Sequence, residues 1–144
     1  MGIKIGSTTG YTDKMMEIVT RKAKENGYEP DAWFSPDSVG SKGRPYPYMI
    51  FRNMEALGVT KVQNAVKVGD TVSDIKEGKN AGLISVGILE GSSEMALTEE
   101  EYEALPKKEK EEKLRRVTEK YQTAGADYII RNMSELIPLL REIE

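Results

Sequence analysis

Three short stretches of this chain carry residues whose types and spacing could do chemistry, and all three suit one phosphate and one hard cation. The most informative is Val66-Lys67-Val68-Gly69-Asp70-Thr71-Val72-Ser73-Asp74. An apolar, β-branched run delivers Asp70 after a glycine that lets the chain turn, and Asp74 follows four residues later in the first turn of a helix. Two carboxylates so placed can converge on magnesium, which takes few protein carboxylates and keeps water and phosphate as its other ligands. The same pair could instead cap the helix and complement its dipole. In Gly43-Arg44-Pro45, Arg44 precedes a helix whose first turn holds Pro45. A cation at that positive end is unfavourable by roughly a few tenths of a kcal/mol unless an anion joins it. Helix terminus and guanidinium would then cradle a phosphate; the plainer reading is a surface arginine beside a turn. Ser7-Thr8-Thr9-Gly10 is the third stretch. Hydroxyls at a strand's carboxyl end, followed by backbone N–H groups, can hydrogen-bond a phosphoryl oxygen, although Ser and Thr crowd loop starts generally.

What is absent narrows the chemistry. The 144 residues contain neither cysteine nor histidine, which removes disulfides, thiolate and imidazole metal sites, cysteine nucleophiles and any triad with a histidine base. Carboxylates, hydroxyls, Lys, Arg and backbone dipoles remain. With 21 basic against 24 acidic residues the net charge is -3, so no basic excess draws in nucleic acid or an anionic membrane. Ala81 to Leu89, the longest apolar run, is far too short to span a bilayer. Met1 to Gly6 lacks the charged and apolar regions of a signal peptide, and a cysteine-free chain suits a reducing compartment. The expectation is a cytoplasmic protein with no membrane partner.

The elements that must position these residues alternate. Ile3 to Thr9 reads as a strand. Thr12 then caps a helix with Met15, Met16, Val19 and Ala23 at helical spacing, ended by Gly27. Ala32 to Ser35 is a short strand, Pro36 to Gly43 a loop, and Pro45 to about Leu57 a helix closed by Gly58. Ala65 to Gly69 is the next strand, and Thr71 or Ser73 opens a short helix that Ala81-Gly82 ends. Leu83 to Ile88 is a buried strand. Thr98 with Glu101 forms a capping box, Pro106 breaks that helix, and a second, charged one runs to Ala124 before Gly125. Its Lys107 to Arg116 stretch is a solvated face or a docking surface. Tyr128 to Ile130 is the last strand and Met133 to Ile143 the last helix. Such alternation predicts a parallel sheet covered on both faces, with chemistry at the strands' carboxyl ends.

A strand-end threonine, an arginine before a helix, and Gly-Asp-x-x-x-Asp resemble the second, third and fourth motifs of the haloacid dehalogenase superfamily. The stretches Ile3 to Thr12, Gly43 to Pro47, Lys67 to Asp74 and Gly91-Ser92-Ser93-Glu94 resemble more narrowly its phosphonoacetaldehyde hydrolase (phosphonatase) family. An arginine in place of the superfamily's usual lysine is characteristic of that family. The resemblance implies a Rossmann-like three-layer α/β core with residues 1–144 as one partial domain, and Mg2+ as cofactor. By position it implies Thr9 and Arg44 as phosphate-binding and catalytic residues, Asp70 as metal ligand, Asp74 as its support, and Tyr11 beside the site.

The resemblance also implies parts that these residues do not contain. The first motif, with the nucleophilic aspartate on a central strand, has no counterpart here, nor does the cap with the lysine that forms a Schiff base to the aldehyde. Full members of the family cleave phosphonoacetaldehyde to acetaldehyde and phosphate through that imine and an aspartyl-phosphate. Without aspartate and lysine the isolated chain is expected to bind a small phosphonate or phosphate but not to turn it over. The strands flanking the missing one are expected to show open edges, inviting a missing amino-terminal segment or self-association. Two other readings remain open: part of a phosphate-ester phosphatase of the same superfamily, and a non-catalytic binding remnant.

Overall fold

Strand and helix alternate along the chain as the sequence pattern requires, and the differences gather at element starts. The computed structural model describes residues 2–144, with strands β1 (Gly6–Thr8), β2 (Ala32–Phe34), β3 (Val66–Gly69), β4 (Ile84–Ile88) and β5 (Tyr128–Ile130). The helices are α1 (Asp13–Glu25), α2 (Tyr48–Leu57), α3 (Val72–Ala81), α4 (Glu99–Glu103), α5 (Lys107–Ala124) and α6 (Leu136–Ile143). All strand pairs are parallel. Ser7 lies opposite Trp33 in the β1–β2 pair, Val68 opposite Val86 in β3–β4, and Gly87 opposite Ile129 in β4–β5. They make two sheets, β1-β2 and β3-β4-β5, the pattern of an incomplete Rossmann-like core. The chain divides into two compact units, one comprising the residues up to Ala65 with Asn80–Leu83, the other Val66–Lys79 with Ile84–Glu144.

Local chemistry sets the element ends. The Thr12 hydroxyl accepts from the Met15 N–H at 3.2 Å and starts α1, Thr98 and Glu101 form the reciprocal capping box of α4, and Gly58 and Gly125 end α2 and α5 in the left-handed conformation. The expected helix start at Pro45 is not observed: α2 begins at Tyr48, with Pro47 at its cap and a cis peptide bond between Arg44 and Pro45. A proline disfavours the helical region for the residue before it, so Pro47 keeps Tyr46 out of the helix. Strand β1 is shorter than Ile3 to Thr9. The Asp31 side chain takes the Ile5 N–H at 2.7 Å and the Ile5 carbonyl accepts from Asp31 at 2.8 Å, so the ladder ends there, and Ile3 and Ile5 are exposed. The spacing of α1 does not make a core face either. Met16 is buried, but Met15 and Val19 are 47% and 42% exposed, because the helix laid across β1 and β2 is α2.

Each unit has its own apolar centre. In the first, Ile50, Ala81 and Leu83 are buried with Met54, Val62 and Ala65 against them. In the second, Ile75, Leu89, Met95, Leu114, Val117 and Tyr121 form the core. The charged run of α5 faces outward, Arg115 sitting between Glu112 and Glu119, while Leu114, Val117 and Tyr121 point inward. No helix among the described residues is long and apolar enough to cross a membrane.

Tyr121 is fully buried, and its ring rests on the bare backbone of Gly87, where a Cβ would collide with it. Its hydroxyl donates to the Ile88 carbonyl at 2.8 Å. Burial pushes the phenol up to about 12; the carboxylates of Asp70, Glu94 and Asp74 add to the rise and a hydrogen bond with Ser92 opposes it. Because the folded-state value lies above the ordinary 10.0, the neutral phenol contributes stability that is complete below pH 10 and is lost as pH climbs towards 12. Tyr121→Phe is therefore expected to cost about 1 kcal/mol at neutral pH and to lose less stability than wild type across that alkaline window. Urea unfolding at stepped pH measures both effects. An alkaline loss identical in the two proteins would contradict the role given to this phenol.

Candidate functional site

The residues singled out by spacing lie at the carboxyl ends of strands in both units, where open parallel sheets place their ligands. In the first unit the loop after β1 is knitted by short polar contacts. The hydroxyl of Thr9, a residue 9% exposed, accepts from the Tyr11 N–H at 3.1 Å, so its own hydrogen is left to donate, and no acceptor for it is found among the described residues. Farther on, the Asp13 N–H donates to Asp37 at 2.8 Å, and the fully buried Ser35 donates a very short hydrogen bond to Asp13. These contacts fix where the loop leaves the strand. Tyr11 itself is 49% exposed and contributes its backbone, not its ring, to this arrangement.

Arg44 arrives at the same loop from the turn before α2. The Tyr46 N–H closes that turn on the Gly43 carbonyl at 3.0 Å, and Asn80 donates to the Pro45 carbonyl at 2.7 Å. The guanidinium then lies over Gly10, with Nη2 3.5 Å from where a Cβ on that glycine would stand. Arg44, 35 residues beyond Thr9 in sequence, thus lies against the glycine that follows that threonine. A hydroxyl, a guanidinium and bare backbone are all groups that can hydrogen-bond phosphoryl oxygens. The helix dipole plays no part here, since α2 starts four residues beyond Arg44.

In the second unit the two acids of Gly-Asp-x-x-x-Asp have different fates. Asp74 is 4% exposed and turned inward. Its Oδ2 accepts from the Asp70 N–H at 3.2 Å and the Thr71 hydroxyl at 2.8 Å, while Oδ1 pairs with Lys67 at 3.2 Å. Lys67 also pairs with the fully buried Glu77 at 3.1 Å. A Cβ on Gly69 would overlap Asp74, so only glycine lets the carboxylate close over the strand end. The Asp70 side chain points the other way. Its Oδ2 accepts from the Ser93 N–H at 3.1 Å and the Ser93 hydroxyl at 3.0 Å, and its Oδ1 has no hydrogen-bond partner among the described residues.

Among the described residues no group of three or more acidic, histidine or cysteine side chains gathers as a cage. The donor set nevertheless fits magnesium through Asp70, because that ion is held by one or two carboxylates and completes its shell with water and phosphate. It does not fit direct ligation by Asp74, both of whose oxygens are taken up inside the protein. Two residues lie in stretches singled out by sequence but take roles that the sequence did not assign. Ser93 holds the Asp70 carboxylate from 23 residues away, and Lys67 supplies the counter-charge to Asp74. Lys67 could have been suspected from its place in the strand, since a lysine between two valines on a buried strand needs an acid partner.

Comparison with known proteins places this arrangement among relatives. A family model described as HAD-hydrolase-like matches residues 41–135. The chain is 53% identical over 142 residues to a phosphonoacetaldehyde hydrolase of Lysinibacillus sphaericus, covering 99% of this chain and 53% of that protein. It is 52% identical over 143 residues to a bifunctional phosphonoacetaldehyde hydrolase/aminoethylphosphonate transaminase of Clostridioides difficile, covering 99% of this chain and 22% of the other. The crystal structure of a phosphonoacetaldehyde hydrolase-like protein from Oleispira antarctica superposes with a TM-score of 0.93 at 33% identity, over 99% of this chain and 51% of that one. The chain therefore spans about half the length of the single-function relatives it matches.

The unequal burial of the two acids has a direct consequence. Asp74→Asn deprives Lys67 of one counter-charge in nearly dry surroundings and is expected to cost about 3 kcal/mol. Asp70→Asn, half-buried and still able to accept from Ser93, is expected to cost less than about 1 kcal/mol. Urea unfolding of the two variants checks this, and equal losses would contradict the inward role of Asp74.

Proposed function

The chain belongs to the HAD-hydrolase-like family, and on that premise we propose that its 144 residues are the phosphate- and magnesium-binding part of a phosphonoacetaldehyde hydrolase. The observation that carries the proposal is the seat of the Arg44 guanidinium on Gly10, the residue that follows the buried Thr9. The names of the relatives, similar over nearly the whole chain, supply the substrate class. In this reading the Thr9 O–H donates to one phosphoryl oxygen and Arg44 to others, fixing the orientation of the phosphorus and drawing charge onto the equatorial oxygens. Asp70 would hold Mg2+ through Oδ1, and Asp74, locked on Lys67 and the Asp70 N–H, keeps the strand end in shape. A divalent cation held there would supply positive charge of the kind that stabilises phosphoryl transfer.

The carbon–phosphorus bond sets what else the enzyme must contain. Its cleavage leaves an electron pair on carbon, so the aldehyde has to be converted to a protonated imine that accepts the pair, and the phosphoryl group needs a nucleophile to receive it. We assign the imine-forming lysine and the nucleophilic aspartate to sequence outside residues 1–144, in keeping with relatives about twice as long. β1 and β3 each stand at one end of their sheet's strand order, in keeping with completion by a further strand.

The test is complementation. Mixing this chain with a separately expressed segment that carries the nucleophile and the lysine is expected to release acetaldehyde from phosphonoacetaldehyde. A well-folded mixture that stays inactive while the continuous protein turns over would contradict the division of labour. A mixture that hydrolyses simple phosphate esters but leaves phosphonoacetaldehyde intact would contradict the substrate.

A further inference from the structure

The turn after β4 grips the turn after β3 at several points. The Glu94 N–H donates to the Asp70 carbonyl at 3.4 Å, and the Glu94 carboxylate accepts from the Val72 N–H at 2.9 Å. Lys120 stands 3.7 Å from the other Glu94 oxygen, and the buried Ser92 closes the turn by accepting from the Met95 N–H at 3.3 Å. Two of these contacts, the Glu94 N–H on the Asp70 carbonyl and the Glu94 carboxylate on the Val72 N–H, tie the turns together through backbone groups of the β3 turn. The Ser93 hydroxyl touches the Asp70 side chain instead: with its own N–H it forms a two-pronged donor on a single oxygen, Oδ2. Ser93 is exposed, so the fold gains little from burying it.

A half-buried carboxylate with no such partner turns about two side-chain torsions and points its oxygens in several directions. With Oδ2 committed to Ser93, only Oδ1 is left outward, in one direction. We propose that Ser93 is a positioning residue that fixes the Asp70 carboxylate so that a single oxygen is presented to magnesium. The inference rests on the reading of Asp70 as the metal ligand given above, and adds which residue orders it. The backbone contacts of Glu94 hold the two turns together without the serine hydroxyl, so its removal should free the carboxylate and leave the fold in place. Outer partners of metal ligands act in this way, and their loss typically weakens metal binding by about 10-fold or more.

Two measurements on the 144-residue chain separate positioning from ligation. Three-bond couplings across the Asp70 side chain, recorded without metal, report its rotamer directly. They are expected to show one rotamer in wild type, averaging in Ser93→Ala, and one rotamer again in Ser93→Thr, which restores the hydroxyl. Calorimetric titration with magnesium chloride is expected to show binding about 10-fold weaker in Ser93→Ala, recovered in Ser93→Thr and abolished in Asp70→Asn. A Ser93→Ala protein with wild-type couplings and wild-type magnesium affinity would overturn the positioning role while leaving Asp70 as ligand. Wild-type magnesium binding by Asp70→Asn, or none by the wild-type chain, would overturn the ligand reading and this inference with it.

Discussion

Asp74 is a carboxylate taken almost wholly out of water, 4% exposed, and the shape of the second unit's site depends on how that charge is satisfied. An unpaired charge in such a place costs several kcal/mol. Here the Lys67 ammonium, the Asp70 N–H and the Thr71 hydroxyl share it between them. Satisfying the charge also fixes geometry, because the same carboxylate joins the end of β3 to the first turn of α3 and can reach it only across a glycine. Asp70 is thereby delivered at a fixed point on the backbone, and Ser93 is left to settle where its oxygens point. One acid serves as scaffold and the other faces outward.

In the first unit the loop after β1 is held by hydroxyls and carboxylates. Thr9 and Asp37 accept from the backbone N–H groups of Tyr11 and Asp13, the kind of bond that competes with regular structure and so stops a strand where it is needed, and Ser35 ties down the Asp13 side chain. Arg44 then has a fixed floor in Gly10. Such loops carry function well because the parallel strands beneath them do not move when the loop sequence changes. Nothing in this arrangement requires histidine or cysteine, which accords with phosphoryl chemistry run on carboxylates, hydroxyls and a guanidinium.

Much of this was legible in the sequence, and the exceptions have physical causes. The strand–helix alternation, the caps at Thr12 and Thr98 and the stops at Gly58 and Gly125 follow from local rules and appear where those rules place them. The spacing of Asp70 and Asp74 marked the site but could not tell which way each side chain turns, since that depends on Lys67, seven residues before Asp74 on the adjoining strand. Pro45 was a misleading helix signal because a second proline two residues later governs where the helix can begin. Met15 and Val19 have helical spacing, yet spacing identifies a face and not what covers it. Ser93 lay in a stretch that carried the family resemblance, but its role was not legible: its partner is 23 residues away across two turns, and no local pattern records such a contact.

If Arg44, seated on Gly10 after Thr9, forms an anion site, loss of its guanidinium must weaken phosphate binding. Equilibrium titration of inorganic phosphate into the wild-type chain and into Arg44→Ala, followed by phosphorus NMR, tests it most directly. A guanidinium that donates to a phosphoryl oxygen makes a charge-assisted bond of about 1.5–3 kcal/mol, so affinity is expected to fall by about 10-fold or more in the variant. Phosphate binding that is the same in both proteins would contradict the account.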